Sequence, residues 1–206
     1  IDWYYTTKEV LVTKNYFPSV GNVGESMIQV VASGPDSDWE DIHYAYFSAI
    51  CQARKNVYIE TPYFIPDESL LKAIKSAALS GVDVRIIFPK IADHKIVNIA
   101  SYSYFEEILR AGGKVYLYNK GFIHSKVVII DDKIASAGTA NMDLRSFMLN
   151  FEVNAFIYDE EVIRVMTDDF FEDLSHCEEL NLEVFKNRNI IQKIKESVAR
   201  LFSPIL

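Results

Sequence analysis

The chain has 206 residues and half of them are hydrophobic, so it is long enough to bury one substantial core. Its formal net charge of −8, without clustered Lys and Arg, argues against a nucleic-acid partner, because phosphate backbones are contacted by basic patches. The two cysteines, Cys51 and Cys177, have no metal-ligand spacing, which favours reduced structural thiols.

The first 25 residues are expected to be the remnant of an upstream N-terminal half or an interdomain segment. The chain begins at Ile1 without a Met, and the stretch through Phe17 is typical of the closing helix of a preceding unit. No apolar run approaches the roughly 20 residues of a bilayer span, and no signal-like segment opens the chain. We therefore expect a soluble piece of a longer protein, with residues 26–206 forming its C-terminal domain.

Helices and strands are then predicted to alternate. A first helix begins at Asp36 or Ser37, a second is capped by Asp67 and ends near Gly81, and a third spans 93–111. Strands are predicted for "NVYIETPYF", "VDVRIIFP" and "KVYLYN". This order predicts right-handed crossovers and an α/β fold, with a mixed, largely parallel sheet covered by helices on both faces. The first helix is expected to pack inward through Trp39, Ile42, Tyr46, Ala49, Ile50 and Ala53.

The alternation stops after this third strand. "HSKVVIID" and "KIASAG", joined at Asp132, predict a hairpin, and "FEVNAFIYD" predicts a further strand. Two helices, over 160–178 and 189–202, close the chain. The last helix carries one apolar face that is expected to pack against the domain, with membrane contact as the alternative; it consists of Ile190, Ile194, Val198 and Leu201.

The predicted hairpin carries an unusual set of polar side chains. His124 and Lys126 belong to the first predicted strand of the hairpin and are expected to project to the same side, because side chains alternate between faces. Two groups that can be cationic would then share one patch. Asp131 has the opposite parity, so we expect it to fix the turn or the backbone and not to contact substrate.

The segment after the hairpin offers groups suited to phosphate. Gly138 allows close backbone approach, and Thr139 and Asn141 supply a hydroxyl and an amide. Asn141 could equally cap a helix through "MDLRSF". Glu152 is a candidate to hold the second ring nitrogen of His124, which would fix the tautomer and raise the basicity of the imidazole.

A histidine beside a lysine and an amide, with no metal ligands nearby, suits attack on a phosphodiester by imidazole. Lys126 and Asn141 would neutralise the nonbridging oxygens as charge builds in the transition state. We therefore predict phosphodiester chemistry without a metal.

The spacing His-x-Lys-x4-Asp at 124–131, followed by Gly-Thr-x-Asn at 138–141, resembles the signature of the phospholipase D superfamily. Most of the chain resembles the C-terminal half of bacterial cardiolipin synthases. The similar stretches are "SGPDSDWEDI", "IETPYFIPDESLLKAIKSAALSGVDVRIIFP", "GFIHSKVVIIDD", "GTANMDLRSFMLNFE" and "ARLFSPIL".

This resemblance implies a phospholipase D-like αβα sandwich and a transfer reaction at the bacterial cell membrane, with no cofactor. A phosphatidyl group would pass from one phosphatidylglycerol to another through a phosphohistidine, giving cardiolipin and glycerol. By the family pattern His124, Lys126 and Asp131 form the signature triad, which Asn141 and Glu152 support. His124, in the second motif, is expected to donate the proton to the leaving glycerol.

The chain departs from the family pattern in one respect, because it contains a single motif. His43, His94 and His176 are not followed by Lys two positions later. The family builds its site from two motifs that face each other, so this chain is expected to hold half a site. It would need the missing N-terminal half or a second copy of itself.

Two other functions remain open on the sequence alone. One is a homodimeric single-motif phosphodiesterase or nuclease, against which the acidic charge and the flanking similarity argue. The other is a docking half-domain that binds phosphate without catalysis. The substrate class expected for the favoured function is a phospholipid at a membrane surface.

Overall fold

The computed structural model describes residues 2–10, 18–19, 21 and 24–205. The part of the predicted opening helix that follows Val10, residues 11–17, lies outside the described residues. The strands are β1 Ile28–Ser33, β2 Asn56–Glu60, β3 Phe64–Ile65, β4 Asp83–Pro89, β5 Lys114–Tyr118, β6 Val127–Ile130, β7 Ile134–Gly138, β8 Met142–Asp143, β9 Glu152–Ile157 and β10 Cys177–Glu179.

Helices account for most of the remaining described residues, and a 3₁₀ turn, Ser203–Ile205, follows the last of them. None of the described helices is long and apolar enough to cross a bilayer. The helices are α1 Asp2–Thr7, α2 Asp41–Gln52, α3 Glu68–Leu79, α4 Lys95–Arg110, α5 Leu144–Met148, α6 Glu160–Ser175, α7 Leu182–Lys186 and α8 Ile190–Leu201.

The main sheet has eight strands in the order β1-β9-β7-β6-β2-β4-β5-β10. The pairs β2–β4 and β4–β5 are parallel, and the other pairs are antiparallel. The predicted α/β fold with a mixed sheet is confirmed, but the parallel part is smaller than predicted. The β6–β7 hairpin and two strands that were not predicted, β1 and β10, contribute the antiparallel pairs.

Alternation along the central strands supplies two apolar layers, one on each face of the sheet. Val57 and Ile59 of β2 join a core formed with α2, α3 and α4, whereas Tyr58 joins a second core that includes Ile163 and Phe170 of α6. Helices therefore cover both faces, as the predicted αβα layering requires.

Local signals placed α3 correctly. The Asp67 carboxylate accepts hydrogen bonds from the backbone N–H groups of Ser69 and Leu70, so it caps the helix. Gly81 follows the helix with φ +89, a left-handed conformation that glycine adopts without strain.

The predicted start of α2 is wrong, because the helix begins at Asp41. The Ser37 hydroxyl accepts a hydrogen bond from the Gly34 N–H at 3.1 Å and closes a turn there instead of capping the helix. Trp39 therefore precedes the helix and is 66% exposed, although Ile42 and Tyr46 are buried as predicted.

The predicted packing of α8 is also wrong. Its apolar side chains are exposed, with Ile190 at 66% and Leu201 at 79%, whereas Glu196 is only 1% exposed. The reason is an ion-pair network on the inner side of the helix: Glu196 pairs with Arg188 at 2.7 Å, and Arg188 also pairs with Glu106 of α4. The polar side of α8, and not its apolar side, fixes it to the domain.

Candidate active site

His124, Lys126 and the Gly-Thr-x-Asn stretch of the motif lie at one end of the sheet, whereas Asp131 lies at the other. β2 ends at Glu60, which pairs with Val127, the first residue of the antiparallel strand β6. β7 ends at Gly138, which pairs with Asn154 near the start of β9. Two strand ends and two strand starts thus meet at the same edge and bring distant parts of the chain together.

His124 and Lys126 lie just before β6, so the prediction that both belong to the strand is wrong. The Gly138 N–H donates to the Lys126 carbonyl at 3.3 Å, and the neighbouring strands end at this level. The two residues nevertheless stay close, because Lys126 Nζ donates to the carbonyl oxygen of His124 at 2.7 Å. The ammonium group therefore folds back towards the histidine.

The ammonium group of Lys126 interacts electrostatically with several carboxyl groups of the site. Partial burial lowers the pKa of its ammonium group, while the carboxylates of Glu152, Asp143 and Asp93 act in the opposite direction. This edge of the sheet thus sets one ammonium against three carboxyl groups.

Asp143 was not predicted, although its carboxyl group acts electrostatically on Lys126. Its carboxylate accepts from the Ser146 N–H at 2.7 Å and caps α5, so the alternative that Asn141 caps this helix is wrong. Burial raises the pKa of Asp143, although hydrogen bonds with Ser146 and Asn141 act to lower it. The Asn141 Oδ1 atom is buried and has no hydrogen-bond partner among the described residues.

Gly138 and Thr139 bind β9 closely. A Cβ on Gly138 would lie 2.4 Å from the Val153 carbonyl oxygen, so only glycine allows this backbone approach. The Thr139 hydroxyl accepts from the Val153 N–H at 2.9 Å. The structure thus engages this hydroxyl with the backbone, and its contact with phosphate stays a prediction.

Glu152 lies near Lys126 but makes no hydrogen bond with His124. Its Oε1 atom accepts from the Asn150 amide at 3.1 Å. The exposed His124 ring lies beside Phe122, with 5.7 Å between ring centroids, and makes no hydrogen bond within the described part of the chain. The predicted role of Glu152 as the partner of His124 stays a prediction.

Asp131 lies at the opposite end of β6, five residues or about 16 Å of strand from Lys126. Its carboxylate accepts from the backbone N–H groups of Arg54, Lys55 and Asn56 at 2.7–3.1 Å. Burial disfavours the charged carboxylate and acts to raise its pKa. The hydrogen bonds from the backbone outweigh burial, so the pKa of Asp131 is lowered. The third member of the signature therefore fixes the loop that leads into β2.

Glu60 is a further side chain at the site that was not predicted. It is buried at the end of β2 and accepts a hydrogen bond from the hydroxyl of Ser125, the residue between His124 and Lys126. Burial raises the pKa of Glu60 to about 7, against the Ser125 hydrogen bond and reinforced by Asp169 and Asp173. A carboxylate directly after the hydrophobic run "VYI" was the available sequence signal.

The family model "Cardiolipin synthase, PLD-like domain" matches residues 46–174. A cardiolipin synthase of Geobacillus kaustophilus is 50% identical over 207 aligned residues, which cover 100% of this chain and 41% of that protein. The chain thus spans about two fifths of the length of this curated relative.

Two solved structures have a similar fold. Phosphatidylserine synthase of Haemophilus influenzae matches with a TM-score of 0.68 at 19% identity, covering 87% of this chain and 47% of that one. NucT from Helicobacter pylori matches with a TM-score of 0.59 at 27% identity, covering 75% of this chain and 100% of that one.

Proposed function

Because the chain belongs to the cardiolipin synthase family of phospholipase D-like domains, we propose that it is the catalytic C-terminal half of a cardiolipin synthase. The proposed reaction transfers a phosphatidyl group from one phosphatidylglycerol to the hydroxyl of another and releases glycerol. The observation that carries this proposal is the 50% identity to a cardiolipin synthase over the whole chain.

In the proposed first step, a histidine outside this chain attacks phosphorus, so that a P–N bond forms and the P–O bond to glycerol breaks. His124 donates its proton to the departing glycerol oxygen. In the second step His124 takes the proton of the acceptor hydroxyl, a P–O bond forms and the P–N bond breaks. Lys126 neutralises the nonbridging oxygens in both steps.

The charges of the site support the need for another half. Lys126 lies among the carboxyl groups of Glu152, Asp143 and Asp93, which oppose an incoming phosphodiester. A second histidine and lysine, from an upstream half in the same protein, would supply both the nucleophile and the missing positive charge. We place residues 1–25 in the connection to that half and residues 26–206 in the domain itself.

The unpaired Asn141 Oδ1 atom supports a hydroxylated headgroup. Buried polar atoms nearly always have partners, and the partner of a carbonyl oxygen must be a donor. A phosphodiester offers acceptors only, whereas glycerol offers hydroxyl donors. The glycerol headgroup of phosphatidylglycerol can supply such a donor.

Analysis of the reaction products tests the proposal. The longer protein that contains this chain, given phosphatidylglycerol vesicles, is expected to release one glycerol for each cardiolipin formed. The 206-residue chain alone is expected to be inactive, since it contributes one histidine and one lysine. Phosphatidic acid as the main product would show that water is the acceptor and would contradict the proposal.

A homodimeric phosphodiesterase is the second candidate. It is favoured by the match to NucT, whose whole length is covered by this chain. Cleavage of a generic phosphodiester by a dimer of the isolated chain would support it against the half-enzyme. A monomeric, inactive chain would exclude it.

A further inference from the structure

The outer face of α8 and the adjoining start of α4 form an apolar groove, which we call the α8 groove. It has a volume of about 570 Å³. Single exposed apolar residues are normal on protein surfaces, but a contiguous apolar groove indicates a docking site. The lining residues are Ile96, Ile99, Ile194, Lys195, Val198, Ala199 and Phe202.

The orientation of α8 is fixed by its polar side and is not an accident of a loosely held terminus. Besides the pairs between Arg188, Glu106 and Glu196, Arg200 of α8 pairs with Glu107 of α4 at 2.7 Å. Glu196 also accepts from the Gln192 amide at 3.0 Å. Turning the helix over would leave these charges without partners, which is costly.

Charge on the rim of the α8 groove indicates what covers it. Lys195, which lines the groove, and Lys95, which directly precedes the lining residue Ile96, are exposed and form no ion pair with the described residues. Glu196 is the only acidic residue of α8, and it is buried on the opposite side. The chain carries a net charge of −8, yet this surface offers apolar side chains and free lysines without a carboxylate of α8.

An apolar helix face flanked by lysines is the pattern of helices that lie in the interface of an anionic bilayer. We propose that the α8 groove docks the protein on the surface of an anionic phospholipid bilayer. The inference goes beyond the proposed transfer reaction, because docking is measured by binding and does not require turnover.

The α8 groove lies beside the catalytic edge of the sheet. α4 begins two residues after Asp93, whose charge acts on Lys126. The 3₁₀ turn that follows α8 packs on α5, and the Tyr104 hydroxyl donates to Ser203 of this turn at 2.9 Å. A bilayer bound at the groove would therefore bring lipid headgroups close to the site.

Vesicle flotation of the 206-residue chain tests the proposal, with phosphatidylglycerol–phosphatidylcholine vesicles as the probe. Val198→Asp is expected to lower the partition coefficient at least tenfold. Val165→Asp is the matched control, because both valines are 49% exposed and Val165 lies on α6, across the sheet. The control is expected to bind within twofold of the unaltered chain. Circular dichroism verifies that both variants are folded.

The electrostatic part of the proposal has its own variant. Lys195→Gln is expected to weaken binding to the anionic vesicles about fivefold and to leave binding to pure phosphatidylcholine unchanged, whereas Lys133→Gln in the hairpin turn changes neither. No vesicle binding by the unaltered chain, or an equal loss in Val165→Asp, would overturn the proposal. So would a dimer that binds no vesicles and is dissociated by Val198→Asp.

Discussion

Replacing His124 with Ala in the longer protein that contains this chain is expected to lower cardiolipin formation about a thousandfold, because general acid–base catalysis contributes factors of this order. The expected loss comes from two proton transfers, one to the leaving glycerol and one from the acceptor. Glycerol release and cardiolipin formation, measured together, should fall by the same factor. His176→Ala, at the end of α6, is the matched control and should retain activity.

A substrate with a different leaving group distinguishes whether His124 acts as proton donor or as nucleophile. A phosphodiester with a p-nitrophenyl leaving group needs no general acid to depart. The His124→Ala protein should therefore release a burst of one equivalent of p-nitrophenol and then turn over slowly. Loss of the burst would assign the nucleophile to His124 and contradict the proposed division of roles.

Replacing Glu60 with Gln is expected to change how stability depends on pH. The pKa of Glu60 rises from 4.5 to about 7 in the folded chain, because burial disfavours the charged form. The contribution of Glu60 to the free energy of unfolding is fully present below pH 4.5. It is lost as the pH rises through about 7, and the total loss is about 3 kcal/mol. Glu60→Gln carries no charge, so its free energy of unfolding should not show this loss.

Urea unfolding of the 206-residue chain at pH 5 and pH 8 measures this difference. The unaltered chain should lose about 2.5 kcal/mol more between the two conditions than Glu60→Gln does, since part of the loss has occurred by pH 5. Glu172→Gln, at an exposed position of α6, is the control and should behave like the unaltered chain. A Glu60→Gln protein with the same loss as the unaltered chain would show that Glu60 is ionised without penalty.

The features that sequence predicted well depend on neighbouring residues. The cap at Asp67 and the glycine stop at Gly81 follow from local backbone geometry, and both are present in the structure. The joining of β6 and β7 follows from two short apolar runs beside Asp132. Such signals require no knowledge of distant contacts.

The features that sequence missed depend on residues far apart in the chain. Periodicity showed that Ile194 and Val198 share a face of α8, but the ion pairs that turn this face outward involve α4. Likewise Glu60 meets Ser125 only because β2 pairs with β6. Hydrophobic spacing identifies the residues of one face, and long-range pairing decides which face is buried.

At the site, the motif indicated the chemical groups better than their contacts. Lys126 donates to the backbone carbonyl of His124, but neither residue belongs to the strand, and the shared patch of the two side chains stays a prediction. Asp131 shares the signature with them yet fixes a loop at the far end of β6. Residues that form one sequence signature therefore do not all lie at the same end of the strand.

A crystal structure of the longer protein with bound tungstate would test most directly whether His124 and Lys126 serve one phosphorus oxyanion. Tungstate oxygens within hydrogen-bonding distance of both the imidazole and the ammonium group are the predicted result. An ion bound elsewhere, with these two side chains directed away from each other, would contradict the account.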